Sequence, residues 1–126
     1  MKKLALLVGT GGIEPAFKAL NIALASAAMD TEVHVFCTFG GVSLLMKELH
    51  YDLPKDLEPF AENLSKIPGV EDLRQMAVDS GVHFIACQMT MDLMNLTNNH
   101  LIDGIEFAGA AAFMNQALEA DSTITF

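Results

Sequence analysis

An apolar run that ends in a glycine cluster, residues 4–12, reads LALLVGTGG. Five successive apolar residues are typical of a strand that is buried on both faces, the kind found in parallel sheets. Residues 14–29 follow, with Pro15 in the first turn of a predicted helix that is apolar around most of its circumference. The stretch therefore predicts a buried strand, a tight turn and a helix that is covered on more than one side.

The same alternation of strand and helix continues along the chain. Further strands are predicted at residues 32–38, 82–87, 104–107 and 123–126, and further helices at residues 42–49, 70–80, 88–96 and 108–120. Residues 51–69 contain three prolines, so we expect a solvated segment of broken helix there. The pattern predicts an α/β protein with a single flavodoxin-like, doubly wound domain over residues 1–126, a five-stranded, mostly parallel sheet and helices on both faces.

The composition argues against several classes of partner. Seven Lys and Arg stand against sixteen Asp and Glu, a formal net charge of −9, which disfavours nucleic acids and anionic membranes. Hydrophobic residues make up 52% of the chain, above the usual ~45–50%, and in a short chain this excess predicts surface buried in a homo-oligomer. Two cysteines are too few for a disulfide scaffold, which favours a reducing cytoplasm.

The first residues are similar to the start of a signal peptide, because Met1, Lys2 and Lys3 precede the apolar residues 4–8. The apolar run is shorter than the usual ~7–15 residues of such a peptide, and glycines interrupt it. No uninterrupted apolar stretch approaches the ~20 residues of a membrane span. We therefore expect a cytoplasmic protein that does not bind membranes.

Ligands of open α/β sheets bind outside the carboxyl ends of the strands, where three turns are predicted at residues 9–12, 37–41 and 87–90. Cys87 ends a predicted strand and precedes a predicted helix, so free backbone N–H groups would favour its thiolate. A thiolate can attack sulfur and carry it as a persulfide. A buried, inert cysteine is equally consistent with this position.

The other features of this edge favour structural interpretations. Cys37 is expected to be a small apolar strand residue; in a 2-1-3 strand order the first strand would separate it from Cys87 by ~10 Å, too far for a disulfide. The glycines of residues 9–12 are not followed by Lys-Ser/Thr, as a phosphate-binding loop requires, and Glu14 stands where a dinucleotide motif needs glycine. A tight turn is the favoured interpretation of this segment.

Soft or zinc-type metal sites receive little support from the sequence. Met89, Met91 and Met94 follow Cys87 closely and could offer sulfur to Cu(I), but methionines at helical spacing usually fill a core. The four histidines show no zinc-type spacing to one another or to the cysteines. No metal and no cofactor are predicted.

Three segments resemble a known family. They read FCTFGGVSLL at residues 36–45, ACQMTMDLM at residues 86–94 and LIDGIEFAG at residues 101–109. Together they resemble the DsrE/DsrF-like sulfur-relay family, in particular its branch labelled peroxiredoxin-like. The resemblance covers nearly the whole chain and is weakest over residues 49–69. Asn95 departs from the branch, which usually has glycine there, and Cys37 stands where the branch is more often apolar or aromatic.

The resemblance implies a flavodoxin-like fold, homo-oligomers that are trimers or their multiples, and a cysteine that passes sulfane sulfur. That role would fall on Cys87, with a small sulfur donor or a sulfur-carrier protein as partner. The expected substrate-binding residues flank the same sheet edge: Gly11, Gly12, Cys37, Gly40, Gly41, Gln88 and Met89. Whether the protein turns over as a sulfurtransferase is left open. The alternative is a non-catalytic oligomeric protein that binds a small ligand or a soft metal.

Overall fold

The computed structural model describes residues 1–126 and contains five strands and five α-helices. The strands are β1 (Lys3–Val8), β2 (Glu32–Cys37), β3 (His83–Cys87), β4 (Glu106–Ala108) and β5 (Ser122–Thr125). The helices are α1 (Ile13–Ala28), α2 (Ala61–Leu64), α3 (Val70–Asp79), α4 (Gln88–Leu93) and α5 (Ala110–Glu119). Short 3₁₀ turns lie at Phe39–Leu45, Glu58–Phe60 and Asn98–His100. None of the helices combines the length and the apolar character needed to cross a membrane.

The five strands form one sheet in the order β4-β3-β2-β1-β5, and every neighbouring pair is parallel. The predicted α/β fold with a five-stranded parallel sheet is confirmed. The 2-1-3 strand order is wrong, because β2 lies between β1 and β3. Apolar strands look alike in sequence, so their composition does not reveal which of them are neighbours.

Helices cover both faces of the sheet, as predicted. From β1 to β4, each strand is added on the same side of the preceding one. Because the crossover connections are right-handed, the helices that connect these strands lie on one face of the sheet. Accordingly α1 and α3 pack against each other. The return from β4 to β5 runs the other way across the sheet, and α5, which makes this connection, packs on the opposite face.

The two faces differ greatly in the size of their buried core. The face under α1 and α3 belongs to a cluster of 21 buried residues, which includes Leu6, Leu20 and Val35. The face under α5 holds a cluster of only five, namely Ala5, Phe36, Ile85, Cys87 and Phe113. Phe36 and Phe113 stack there with ring centroids 4.9 Å apart. The α5 face is therefore thinly covered within one chain.

Several predicted boundaries shift in the structure. The helix expected at residues 42–49 is replaced by the 3₁₀ turn Phe39–Leu45, whose Leu44 and Leu45 are fully buried. The helix expected at residues 88–96 ends at Leu93. Residues 51–69 hold only the short α2 and a 3₁₀ turn, so the predicted broken segment is confirmed.

Close backbone packing explains the glycines at the carboxyl edge of the sheet. A Cβ on Gly41 would overlap the Val8 carbonyl oxygen, and a Cβ on Gly40 would lie 2.6 Å from the Gly11 nitrogen. Neither overlap can be relieved by a flexible side chain, since the opposing atoms belong to the backbone. The turn after β2 is thus pressed against the end of β1, and side chains are excluded from the contact.

Gly41→Ala should lower the free energy of unfolding by about 3 kcal/mol or more, because the added methyl group meets an immovable carbonyl. Gly109→Ala is the matched control: Gly109 has an ordinary φ of −91° and open space around its Cβ position. The control should change stability by no more than about 1 kcal/mol. Denaturant unfolding of both variants measures the difference, and equal midpoints would contradict this account of the turn.

Candidate functional site

The ends of the three central strands meet at one edge of the sheet. Thr38, directly after β2, donates its N–H to the Val8 carbonyl at 3.0 Å. The Thr38 carbonyl in turn accepts from the Gly41 N–H at 2.9 Å, which closes the turn. Cys87 ends β3 beside this turn, since β2 and β3 are neighbours. The structure therefore brings two of the predicted turns and Cys87 to the same edge.

Cys87 is the last residue of β3 and the N-cap residue that directly precedes α4. The predicted strand-to-helix junction is confirmed. Its side chain faces the α5 side of the sheet, in the small cluster with Ile85 and Phe113, and the residue is 4% exposed. Because α4 has only six residues, direct hydrogen bonds matter more at this junction than a helix dipole does.

Two opposing effects act on the ionisation of Cys87. Burial is the largest single effect and raises the pKa of the thiol. Four hydrogen-bond donors lower it: the Thr90 hydroxyl, the Thr90 N–H, the Thr38 hydroxyl and the Met89 N–H. The donors together outweigh burial, so the pKa of Cys87 lies below its ordinary value. This is the direction expected from a thiol at a strand-to-helix junction.

The two threonines are held in place by the backbone of the turn after β2. Thr90 is fully buried, and its Oγ1 accepts the Phe39 N–H at 3.0 Å. The Thr38 Oγ1 lies 3.3 Å from the same oxygen. Phe39 has a φ of 48°, a left-handed conformation that is uncommon for a bulky residue. Phe39 adopts this left-handed conformation at the point where the backbone turns toward Thr90.

Sequence reasoning overlooked both threonines as site residues. Only their positions in the sequence could have indicated this role. Thr38 directly follows the strand that ends in Cys37. Thr90 is the third residue after Cys87, where the first turn of the helix closes over the thiol. Threonine hydroxyls at such positions commonly bond to nearby backbone or side-chain groups. Their convergence on Cys87 follows from the neighbouring positions of β2 and β3.

Cys37 lies on the opposite face of the sheet from Cys87. It belongs to the large core under α1 and α3, is completely buried, and is paired in register with Ala86. Burial raises the pKa of Cys37 far above the usual thiol range. Both cysteines are free. The sequence predicts no disulfide between them because of the distance across an intervening strand. The structure gives a different reason, since adjacent strands direct the two thiols to opposite faces of the sheet.

The remaining predicted site residues do not converge on one pocket. Gln88 is exposed and donates to Asp92 Oδ1 at 3.0 Å, while Met89 is 59% exposed. Met91 is buried in the large core, so the methionines after Cys87 do not form a common soft-metal site with it. Gly12 is the N-cap residue before α1 and has a φ of 119°. Gly11, Gly40 and Gly41 allow close backbone packing.

A small apolar cavity of about 270 Å³ lies beside the turn after β2. Its walls come from this turn and from the segment that follows α4: Phe39, Gly40, Val42, Ser43, Met46, Met94 and Leu96. Thr38 directly precedes this turn, and Thr90 lies in α4, directly before the second segment. The cavity could receive an apolar part of a ligand close to the residues that surround Cys87.

The side chains best suited to hold a metal lie at the opposite, amino edge of the sheet. Glu32, His34 and His83 place one ligand atom each within 4.8 Å of one another. His34 and His83 are register partners on β2 and β3, a relation that their spacing in sequence conceals. His83 and Cys87 are four residues apart on β3, a separation of about 13 Å.

Thr90→Val should displace the pH profile of Cys87 alkylation toward higher pH, because the thiolate loses one of its hydroxyl donors. A hydrogen bond to a charged group contributes roughly 1.5–3 kcal/mol, so the iodoacetamide rate near neutral pH should fall about tenfold or more. Thr90→Ser keeps the hydroxyl and should retain a profile near that of the parent protein. Circular dichroism should first show that both variants are folded. If the pH profile of Thr90→Val then coincides with that of the parent protein, the Thr90 hydroxyl is not a donor to Cys87.

Comparisons with known proteins agree with this architecture. The sequence profile of the DsrE/DsrF/DrsH-like family matches residues 1–62 and 60–125. The chain is 32% identical to Sulfur carrier protein DsrE2 of Allochromatium vinosum over 95% of each sequence, and 30% identical to the YrkE protein of Bacillus subtilis over 94% of this chain and 92% of that one. The crystal structure of the YchN protein from E. coli superposes with a TM-score of 0.73 at 17% identity, covering both chains completely. The resemblance seen in the sequence is confirmed, and the chain belongs to the DsrE/DsrF/DrsH-like family.

Proposed function

We propose that the protein carries sulfane sulfur in a sulfur relay, as a persulfide on Cys87. The observation that carries this proposal is the position of Cys87 at the end of β3, where the Thr38 and Thr90 side chains meet and lower the pKa of a thiol that is otherwise buried. Family membership supports it, as does the relative that is named a sulfur carrier protein. Residues 1–126 would act as one domain in a reducing compartment, the cytoplasm, where Cys87 stays available as a thiol.

Loading requires no oxidant. The Cys87 thiolate attacks the outer sulfur of a donor persulfide, R–S–SH, and forms a new S–S bond. The bond between that sulfur and the donor's inner sulfur breaks, and the donor leaves as R–S⁻ with the electron pair of the broken bond. The proton of the donor persulfide passes to R–S⁻ or to solvent, and Cys87 is left as a persulfide.

Delivery is the same exchange in the opposite sense. An acceptor thiolate attacks the outer sulfur, and the Cys87 thiolate leaves with the bonding electrons. Thiols of lower pKa leave faster, and a lower pKa at the same time increases the thiolate fraction available for loading. The donors from Thr38, Met89 and Thr90 would thus assist both half-reactions by stabilising charge on the same sulfur atom.

The small exposed fraction of Cys87 restricts its donors and acceptors. Only a narrow part of the residue reaches the surface of one chain, so a terminal sulfur atom on a slender group fits better than a bulky disulfide. A small persulfide or a cysteine persulfide on a mobile segment of a carrier protein meets this requirement. The flanking Gln88 and Met89 are exposed and would meet the partner first.

The protein is also proposed to be a homo-oligomer, a trimer or its multiple. The α5 face buries only a five-residue cluster, and several large apolar residues on or beside it remain exposed. Leu118 on α5 is 77% exposed and Met114 on the same helix is 46% exposed. Exposed apolar area of this kind is typical of a surface covered by another subunit.

Incubation with polysulfide should add the mass of sulfur to the folded protein, and a reductant should remove it. Cys87→Ser should gain none, since the hydroxyl cannot form a persulfide. Cys37→Ala should load like the parent protein, because Cys37 is fully buried on the other face. Intact-protein mass spectrometry followed by peptide mapping provides the measurement.

Two results of this loading experiment would contradict the proposal. If no donor adds sulfur to Cys87 in the folded protein, the alternative of a non-catalytic small-ligand protein is favoured, with the apolar cavity at Phe39 and Met94 as its site. If Cys37→Ala abolishes loading while the fold persists, the two thiols act together and Cys87 alone is an incomplete assignment.

Leu118→Glu should convert the oligomer to a smaller species, because a carboxylate replaces an apolar side chain at the proposed subunit contact. Ile67→Glu is the matched control, since Ile67 is half-exposed but lies in the irregular segment away from α5. Light scattering at micromolar concentration should give a trimer or its multiple for the parent and the control. A monomeric parent protein would overturn the oligomer proposal.

A further inference from the structure

Two histidines and a glutamate meet on the α5 face at the amino edge of the sheet. Glu32 and His34 are two residues apart on β2 and therefore point to the same side. His83 opens β3 as the register partner of His34. The two imidazole rings stack with centroids 4.7 Å apart and planes 17° from parallel.

The ring of His34 has an unsatisfied nitrogen. Its side chain is only 12% exposed, and its Nε2 is buried without a hydrogen-bond partner. The Glu32 Oε2 lies 3.2 Å from this nitrogen, but the pair is not aligned as a hydrogen bond. Buried polar atoms without a partner are rare in folded proteins, so this nitrogen, with the Glu32 carboxylate close by, is open to a further partner.

The Glu32 carboxylate also faces a cationic side chain. The Lys3 ammonium lies 3.6 Å from Glu32 Oε2 and 3.4 Å from the Glu119 carboxylate of α5. Lys3 is thus the present counter-ion of Glu32, but it is shared with a second carboxylate.

We propose that Glu32, His34 and His83 form a binding site for a divalent transition-metal ion, with Zn²⁺ as the expected occupant. Two imidazole nitrogens and one carboxylate oxygen are a common ligand set for Zn²⁺, and they leave a fourth position for water. Ligand atoms ~2.0–2.1 Å from a tetrahedral ion lie about 3.3 Å apart. The 3.2 Å separation of Glu32 and His34 already matches this spacing.

Only His83 has to move to complete the site. All three ligand atoms lie within 4.8 Å of one another, and His83 is exposed, so a side-chain rotation can bring its nitrogen inward. The same rotation would break the ring stacking. The site joins the starts of two neighbouring strands and is independent of the sulfur chemistry proposed for Cys87.

The test uses the full chain carrying Cys87→Ser, so that the reactive thiol cannot bind the metal, after treatment with a chelator. Isothermal titration with Zn²⁺ should show one ion per chain. His83→Gln and Glu32→Gln should each weaken binding at least about tenfold. Lys3→Met should tighten it, because a competing cation is removed from Glu32.

His50→Gln is the matched control. His50 also lies close to a carboxylate, 3.3 Å from Asp52, but both side chains are fully exposed and no third ligand is near. Its affinity should equal that of the parent protein. In proton NMR spectra, Zn²⁺ should shift the ring signals of His34 and His83 and leave those of His50 and His100 in place.

Three results would overturn the site. These are absence of Zn²⁺ binding to the folded Cys87→Ser protein, undiminished affinity in His83→Gln, or an equal loss in His50→Gln. Because His83 is exposed at the start of its strand, the His83→Gln protein is expected to fold. The NMR shifts also identify the ligands without any substitution of the histidines.

Discussion

The backbone contact between the end of β1 and the turn after β2 determines where the groups around Cys87 lie. Gly41 leaves no room for a side chain beside the Val8 carbonyl, and Gly40 touches Gly11 in the same way. This contact fixes the 3₁₀ turn in which Phe39 adopts its left-handed conformation. The Phe39 N–H then holds the Thr90 hydroxyl beside the thiol of the neighbouring strand. The site thus depends on a steric constraint two strands away from its sulfur atom.

The two cysteines show how the same side chain acquires opposite properties. Both lie near the carboxyl ends of adjacent strands, yet Cys37 faces the large core and Cys87 faces α5. Burial raises the pKa of Cys37 and no donor compensates for it. At Cys87 the hydrogen bonds from Thr90, Thr38 and Met89 outweigh burial. Ionisation in a protein interior requires donors that replace water, and only one of the two positions has them.

Most of the fold was predictable from the sequence, because apolar strands, glycine turns and amphipathic helices each leave a local pattern. The junction at Cys87 was predicted for the same reason. The strand order was not, since it is set by crossover direction and not by local composition. The roles of Thr38 and Thr90 depend on that order, as does the pairing of His34 with His83. When two residues are distant in sequence and meet only through strand register, their spacing in the sequence does not predict the contact.

The polar groups of the α5 face lie at its two ends, with the thiol site at the carboxyl edge and the Glu32, His34 and His83 cluster at the amino edge. Phe36 and Phe113 separate them by stacking in the middle of that face. The arrangement places reactive or ligating groups where the sheet ends and apolar contacts where the helix covers it. Such a division is expected of a parallel sheet whose strand ends carry the functional groups.

Local hydrogen bonds lower the pKa of Cys87 despite its burial. The most direct test is a pH titration of ultraviolet thiolate absorbance in the Cys37→Ala protein, in which Cys87 is the sole thiol. We expect a single ionisation with a pKa below the ~8.5 of an unperturbed cysteine. An ionisation at or above that value in the folded protein would show that burial prevails over the donors and would contradict the account.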